Sequence, residues 1–150
     1  ACVLDYGQTP RVTVVLDKAT HTRELIETSG AFALQLPTRA QLALTVGVGT
    51  DSLHTMPDKL MRHGVQLFEA PVGDVPLVAG CVGWLACRLR PEPHNQQAYD
   101  LFIGDVVGAW ANEQVFRTGR WQFDAAPDEL RTIHHVAGGQ FFVTGAAVQA

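Results

Sequence analysis

The strongest constraint on the fold of this chain is a series of short apolar segments that have the composition of β-strands. Residues 12–16 (VTVVL) are β-branched and apolar, and residues 32–36 alternate Phe and Leu with smaller or polar side chains. The helical patterns at residues 20–28 and 57–63 are short, and no regular β–α–β alternation follows them. This order argues against a doubly wound parallel sheet. It predicts a mainly β fold, an antiparallel barrel with short flanking helices.

The remaining segments complete this outline. The same patterns predict strands at residues 65–68, 81–90, 99–109 and 141–144, a hairpin-like segment at 115–123, a helix at 39–46, and loops or turns at 47–55, 70–80 and 91–97. Gly104 and Gly108 interrupt the long strand, and we expect a bulge or a close approach of another segment there. The 150 residues are expected to form a single domain, residues 1–150.

Charge and hydropathy argue against two classes of partner. The formal net charge is −4, so no overall basic field favours nucleic acid. The longest uncharged runs, residues 75–87 and 136–150, are shorter than the ~18–20 apolar residues that span a bilayer. We therefore expect neither nucleic acid nor a membrane among the partners of this chain.

The cysteines indicate a cellular compartment. The chain has three of them, Cys2, Cys81 and Cys87, and an odd number without a disulfide framework is typical of a reducing compartment such as the cytoplasm. Cys81 and Cys87 are expected to serve as small buried hydrophobic residues. The chain starts at Ala1, without Met and inside an apolar stretch, so we expect natural residues to precede it.

A cluster of polar residues, Lys18, Thr20, His21 and Thr22, precedes the first helical pattern. Backbone N–H groups at the start of a helix are unpaired, and the helix dipole places partial positive charge there. Hydroxyls and an ammonium group added to that position could hold a phosphate-sized anion. In the alternative interpretation, Thr20 only caps the helix and Lys18 is solvated. The pattern by itself leaves both open.

Two further segments could contribute to the same anion site. Residues 47–52 (GVGTDS) contain G-x-G, but they lack the third glycine of a dinucleotide-binding fingerprint and the Gly-Lys-Thr of a P-loop. They form either a flexible loop with hydroxyls or a second wall for the anion, with Thr50 and Ser52 as donors. Lys59 could reach a phosphate as a point charge, or it could pair with Asp58.

Patterns typical of catalytic or metal sites do not stand out in this sequence. His134 and His135 are adjacent, but they have no partner in an H-E-x-x-H, H-x-x-x-H or C-x-x-C motif, so a zinc site is not expected. No Ser-His-Asp or Cys-His arrangement suggests a nucleophile. We therefore assign no catalytic residue and no metal ligand from the sequence.

Several motifs follow one another along the chain. They are residues 18–26 (KATHTRELI), 29–32 (SGAF), 58–59 (DK), 75–78 (VPLV) with Cys81, 85–87 (LAC), 101–106 (LFIGDV) and 135–141 (HVAGGQF). Together and in this order they resemble the flavin reductase family of FMN-binding split barrels, which includes flavoredoxin-like proteins. The resemblance covers essentially the whole chain.

The resemblance implies a six-stranded Greek-key split β-barrel that forms a homodimer and binds FMN non-covalently near the subunit interface. It implies an NAD(P)H-dependent flavin (FMN) reductase, which takes hydride from NADH or NADPH and passes electrons onward. The acceptor could be a flavin-dependent monooxygenase component. Because nicotinamide and flavin perform hydride transfer themselves, such a protein needs no acid–base pair of its own.

The resemblance also assigns residues to the FMN site. It places Thr20 and Thr22 beside the phosphate or the ribityl chain, Lys59 on the phosphate, and Ser52 in the loop next to it. Tyr99 aligns where some members carry a flavin-contacting His, and His135 and Phe141 align with a C-terminal segment that closes over the site. With the polar cluster, the predicted cofactor-binding residues are Lys18, Thr20, His21, Thr22, Thr50, Ser52, Lys59, Tyr99, His135 and Phe141.

Two departures from the family pattern concern the FMN site, and two alternative functions also stay open. The family's Asn-x-Met segment would lie before Ala1, and residues 50–54 (TDSLH) replace the Ser-Gly-Arg that precedes Asp-Lys in the family. One alternative is a non-enzymatic flavin- or haem-binding split barrel, with His21, His54, His134 and His135 as candidate haem ligands. The other is an oxidase of the pyridoxamine-phosphate-oxidase type on the same barrel.

Overall fold

The computed structural model describes residues 2–5 and 7–149 as a mainly β structure with four short α-helices. The strands are β1 (Cys2–Asp5), β2 (Arg11–Val15), β3 (Ala31–Leu36), β4 (Leu67–Glu69), β5 (Pro76–Val78), β6 (Gly83–Arg90), β7 (Leu101–Ala111), β8 (Phe116–Arg117), β9 (Arg120–Trp121), β10 (Ile133–Ala137) and β11 (Gln140–Val143). The helices are α1 (His21–Ser29), α2 (Leu42–Thr50), α3 (Lys59–Arg62) and α4 (Pro93–Tyr99). The expectation that natural residues precede Ala1 lies outside the described residues.

The largest sheet is antiparallel throughout and has the strand order β1-β2-β7-β6-β3. Its central strand, β7, pairs with β2 on one side and β6 on the other. The pairing with β6 shifts between Ala86 and Cys87, which leaves Val107 as an extra residue, a bulge next to Gly108. A Cβ on Gly104 would lie 2.5 Å from Cζ of Phe32. The predicted bulge and close approach are therefore both present on this strand.

The short β4–β5 pair lies against β3 of the large sheet. The N–H of Val78 in β5 donates to the side-chain oxygen of Gln35 in β3, at 2.6 Å. Val75 and Leu77 are buried against Ala86, and they form a second apolar cluster under this pair. The mainly β split barrel with short flanking helices that the sequence predicts is confirmed.

The main core lies between the large sheet and α1. Phe102 and Cys87 are fully buried at its centre, and Ile26 brings the apolar side of α1 onto Phe32. The N–H of Gly30 donates to the carbonyl of Ile26, and Gly30 ends the helix with a φ of 68°, which favours glycine. The predicted helix and its glycine stop are thus present and hold α1 on the sheet.

Four sequence predictions are wrong in detail. Residues 47–50 belong to helix α2 rather than to a loop, and Gly47 accommodates the ring of His63, because a Cβ there would lie 2.3 Å from its Nδ1. The turn expected at 91–97 is largely helix α4, with Pro93 at its first position, where proline needs no N–H partner. Tyr99 therefore ends a helix instead of starting a strand. The loop expected at 70–80 contains strand β5.

The cysteines behave as expected from the sequence. All three are free thiols, and Cys81 and Cys87 are buried. Burial raises the pKa of each of these two thiols to about 11, although a hydrogen bond with Gln41 opposes the rise at Cys81. Both are therefore uncharged packing residues at neutral pH.

The helices of the described chain are all too short, or too polar, to cross a bilayer.

Candidate functional site

A cleft of about 340 Å³ opens between the start of α1, the C-terminal end of α2 and the start of α3. Its lining includes six of the predicted site residues: Thr20, His21, Thr22, Thr50, Ser52 and Lys59. These residues come from three separate segments of the sequence, and the fold brings the segments together. The cleft thus combines hydroxyl groups, an ammonium group and the first turn of a helix.

The start of α1 is open toward a ligand because the side chain of Thr20, at its cap position, does not cap it. Thr20 occupies the cap position in extended conformation, but its hydroxyl donates to the carbonyl of Asp17, at 2.8 Å, rather than accepting from the helix. The first-turn N–H groups of a helix need an acceptor, and they carry partial positive charge. The proposed role of Thr20 as a side-chain cap is therefore not observed, and the helix start remains able to receive an anion.

Lys59 is held in place by the end of α2. Its Nζ donates to the carbonyl of Val48, at 3.1 Å, and to the carbonyl of Asp51, at 2.9 Å. An ammonium group has three N–H donors, so one remains for a ligand in the cleft. The alternative pairing with Asp58 is not found, because Asp58 binds Arg62 in the next turn, at 2.7 Å.

A hydrogen bond between two side chains supports the turn that follows α2. Nε2 of His63 lies 2.6 Å from Oδ2 of Asp51, and the His63 ring packs on Gly47. The backbone of Asp51 meanwhile accepts from Lys59. Asp51 therefore connects the turn after α2 to α3 twice, through its carbonyl to Lys59 and through its carboxylate to His63. These two contacts position the Ser52 hydroxyl at the cleft.

Two histidines share one carboxylate at the rim of the cleft. Nδ1 of His21 lies 2.8 Å from Oε2 of Glu24, and Nε2 of His54 lies 3.3 Å from the same oxygen. The two imidazole rings meet edge to face with centroids 4.4 Å apart. The hydrogen bond with His21 is the main cause that lowers the pKa of Glu24 below its usual value.

The other predicted site residues do not line this cleft. Lys18 is exposed and donates to the carbonyl of Gln97 in α4, at 2.9 Å. Tyr99 is 64% exposed at the end of α4, with its ring against His94. His135 and Phe141 face each other across the β10–β11 hairpin, with ring centroids 4.7 Å apart. A role at the cleft stays a prediction for these residues, from the helix-start pattern for Lys18 and from the resemblance for Tyr99, His135 and Phe141.

Sequence reasoning gave no separate role to Arg23, which fixes the position of α1. Its guanidinium group is buried and donates to Oδ1 of Asp100, at 2.6 Å, and to the carbonyl of Gln96, at 2.9 Å. It also lies over the ring of Phe102, 5.1 Å from the centroid. Arg23 shares the helix face of buried Ile26, three residues on, and this spacing is the signal that could have revealed it.

A larger apolar cleft of about 470 Å³ adjoins the polar one. Thr22 and Leu25 belong to the walls of both. Beyond them, the apolar cleft is lined mainly by α1 and β3, including Ile26 and Phe32, with Leu16 after β2 and residues 74–76 completing its walls. The two clefts together suit a ligand with a phosphate at one end and an apolar planar group at the other.

Comparison with known proteins gives consistent matches. The family described as Flavin reductase like domain matches residues 7–127. The crystal structure of an FMN-binding domain of a flavin reductases-like enzyme from Shewanella baltica OS155 is 55% identical, with a TM-score of 0.96 over 99% of this chain and 78% of that one. The uncharacterized protein YddH of Escherichia coli (strain K12) is 43% identical over 142 residues, 94% of this chain and 74% of YddH.

A more distant structure shares the fold. Nitrilotriacetate monooxygenase component B from Bacillus cereus is 20% identical and has a TM-score of 0.78, over 99% of this chain and 75% of that one. At this level of identity the likeness concerns the fold alone, because one fold carries many functions.

Proposed function

This chain belongs to the flavin reductase-like domain family, and from that membership we propose that it binds FMN non-covalently and reduces it with NADH or NADPH. The observation that carries the proposal is the polar cleft, in which three distant segments contribute Thr22, Ser52 and Lys59. A related structure, 55% identical, is described as an FMN-binding domain, which supports FMN as the ligand.

The donor set of the polar cleft fits a phosphate group. The third N–H of Lys59 offers a charge-assisted hydrogen bond. The hydroxyls of Thr22 and Ser52 add neutral donors, and the uncapped start of α1 adds backbone N–H groups. Ser52 accepts from the N–H of His54, at 3.3 Å, so its own proton remains available to the ligand. The hydroxyl of Thr20 is not among the phosphate donors, because it donates its proton to the carbonyl of Asp17.

In this proposal the apolar cleft binds the isoalloxazine ring of FMN. Thr22 and Leu25 stand where the polar and apolar clefts meet, so a ribityl chain passes between them in this arrangement. Leu16 and Phe32 exclude water from the apolar side, and the sheet behind them keeps their positions fixed. Burial of a ring against such side chains contributes through the hydrophobic effect.

When bound, FMN supplies the capacity to accept hydride from nicotinamide and to release electrons to an acceptor. The chain's own residues bind the phosphate, orient the ring and limit the access of water. No side chain of the cleft is required to move a proton in this proposal, which agrees with the assignment of no catalytic residue from the sequence.

The assembly and partners are proposed on the resemblance to the family. We infer a homodimer in the cytoplasm, where the three free cysteines remain reduced. A flavin-dependent monooxygenase is the proposed acceptor of the electrons, and the likeness in fold to a monooxygenase component B is compatible with it.

The experiment is a comparison of FMN with riboflavin, which lacks the phosphate. The full-length protein is freed of flavin and titrated with each compound by fluorescence quenching. We expect FMN to bind at least ~30-fold more tightly than riboflavin, because one charge-assisted and one or two neutral hydrogen bonds together contribute about 2 kcal/mol or more. Stopped-flow mixing of the FMN-loaded protein with NADH and with NADPH then measures flavin reduction. A protein that binds no FMN contradicts the proposed cofactor. If FMN binds but neither NADH nor NADPH reduces the bound flavin, the proposed reductase activity is contradicted.

A further inference from the structure

We propose that His21, Glu24 and His54 form a binding site for a divalent transition-metal ion of the zinc class. One ligand atom from each of the three residues lies within 4.8 Å of the others. The sequence did not predict this site, because His54 is separated from the other two residues by a long stretch of chain. The proposal does not depend on flavin binding.

The separations between the donor atoms suit a metal ion. Nδ1 of His21 and Nε2 of His54 lie 2.8 and 3.3 Å from Oε2 of Glu24. Metal–nitrogen and metal–oxygen bonds of ~2.0–2.2 Å place neighbouring ligand atoms roughly 3–3.5 Å apart around one ion. The two imidazole nitrogens lie within 4.8 Å of each other, so all three donors can meet one ion after a shift of about 1–1.5 Å at the exposed His54 side chain.

The backbone already holds the three residues in place. His21 and Glu24 are three residues apart, in the first turn of α1, so their side chains share one face of the helix. Arg23 anchors that turn through its bond to Asp100. The turn that carries His54 is closed by hydrogen bonds from the N–H groups of Thr55 and Met56 to the carbonyl of Ser52.

The chemistry of the donors selects the class of ion. Imidazole nitrogen suits zinc, copper, nickel and iron, whereas magnesium and calcium prefer oxygen ligands alone. Three protein ligands leave further coordination positions free. The side chains of Glu24 and His54 are about half exposed, so water or a ligand oxygen can reach those positions.

The test uses the flavin-free protein without an affinity tag, after dialysis against a chelator. Titration with Zn²⁺ by calorimetry and with Co²⁺ by visible absorption is expected to show one ion per chain with a Kd in the micromolar range or below. The substitutions Glu24→Gln and His54→Ala are each expected to weaken binding by at least ~10-fold, since even indirect changes around metal sites cost that much. Both side chains are exposed, and circular dichroism checks that the variants remain folded.

The matched control is His94→Ala, which removes an exposed histidine that lies outside the cluster, against Tyr99. It is expected to leave the affinity for Zn²⁺ and the cobalt spectrum unchanged. If the wild-type protein binds no ion in this range, or if all variants bind equally well, the three residues form only a hydrogen-bonded group and the proposal is overturned.

Discussion

The ammonium nitrogen of Lys59 lies 2.9 Å from the carbonyl oxygen of Asp51, so a single side chain both binds carbonyl groups at the end of helix α2 and brings positive charge to the polar cleft. The carbonyl of Val48 accepts a second hydrogen bond from the same group. A lysine held in this way loses little conformational freedom when it binds an anion, because its position is already set.

Replacement of Lys59 tests this double role. Lys59→Met is expected to weaken FMN binding about 10- to 100-fold, because a charge-assisted hydrogen bond contributes about 1.5–3 kcal/mol. Riboflavin, which has no phosphate, should bind equally well to both proteins. The control is Arg62→Met in the same helix, where the cation pairs with Asp58. Fluorescence titration checks both variants, and an equal loss of FMN affinity in the two would show that only overall charge matters.

The two threonines at the start of α1 are expected to differ in importance. Thr22→Ala should lower FMN affinity about 5- to 10-fold through the loss of one neutral hydrogen bond. Thr20→Ala should have a smaller effect, because the Thr20 hydroxyl donates to Asp17 rather than into the cleft. Thr28→Ala, at the other end of the helix, serves as the control. A larger effect at Thr20 than at Thr22 would contradict the geometry of the cleft.

Arg23 is expected to be important for stability. Arg23→Ala leaves the carboxylate of Asp100 with only the exposed Lys18, 3.9 Å away, and removes contacts that hold α1 against Phe102. We therefore expect a loss of about 3 kcal/mol in the free energy of unfolding. Arg39→Ala breaks an exposed ion pair with Asp128 and should cost less than about 1 kcal/mol. Urea denaturation measures both. Similar losses in the two variants would mean that the burial of Arg23 has no special role.

Two glycines of α2 provide a matched pair. In Gly47→Ala the new Cβ would lie 2.3 Å from Nδ1 of His63, so the ring must move and its bond to Asp51 is lost. Gly49→Ala has open space around its Cβ and should stabilise the helix by about 0.5–1 kcal/mol. Thermal denaturation should therefore show a lower Tm for the first variant and an unchanged or higher Tm for the second. A reversed order would contradict the packing of His63 on Gly47.

Stability should fall in acid partly through Asp105, which joins β2 and β6 to the central strand. Burial alone would raise its pKa, but hydrogen bonds from Arg90 and Arg11 outweigh burial and lower the pKa of Asp105 below its usual value. The ion pairs of Asp105 therefore stabilise the fold fully above the ordinary aspartate pKa of ~3.9. This stabilisation is lost as the pH falls through the lowered pKa of Asp105.

Asp105→Asn tests that assignment. The variant should be less stable than the wild type at pH 7, and the difference should shrink as the pH is lowered below about 4. Urea midpoints measured between pH 2 and pH 7 give the comparison, with Glu113→Gln as an exposed control. A difference that stays constant across this range would show that the ion pairs do not cause it.

Local sequence patterns were sufficient to predict most of the fold. The alternation in residues 32–36 and the glycine stop at Gly30 correspond to β3 and to the end of α1, because both depend on side chains within a few residues. Gly47 shows where the same reasoning fails. A glycine can break a helix or accommodate a neighbouring side chain, and the choice here depends on His63, which comes from a different segment.

The residues of the candidate site were likewise predictable only in part from the sequence. The sequence identified hydroxyls and a lysine in three segments, and the resemblance to a family connected them. It could not show that Lys18, which has the same chemistry as Lys59, donates to the carbonyl of Gln97 in α4 and does not line the polar cleft. Nor could it show that Arg23 binds Asp100 or that His54 meets Glu24, since both contacts join separate elements.

The sequence by itself determined the class of fold, the family and the residue types of the cleft, because these follow from local periodicity and from motifs in a constant order. Only the tertiary structure decided which polar residues share one cleft. Those contacts join positions far apart in the chain, and they depend on how α1, α2 and α3 pack, which no local pattern encodes.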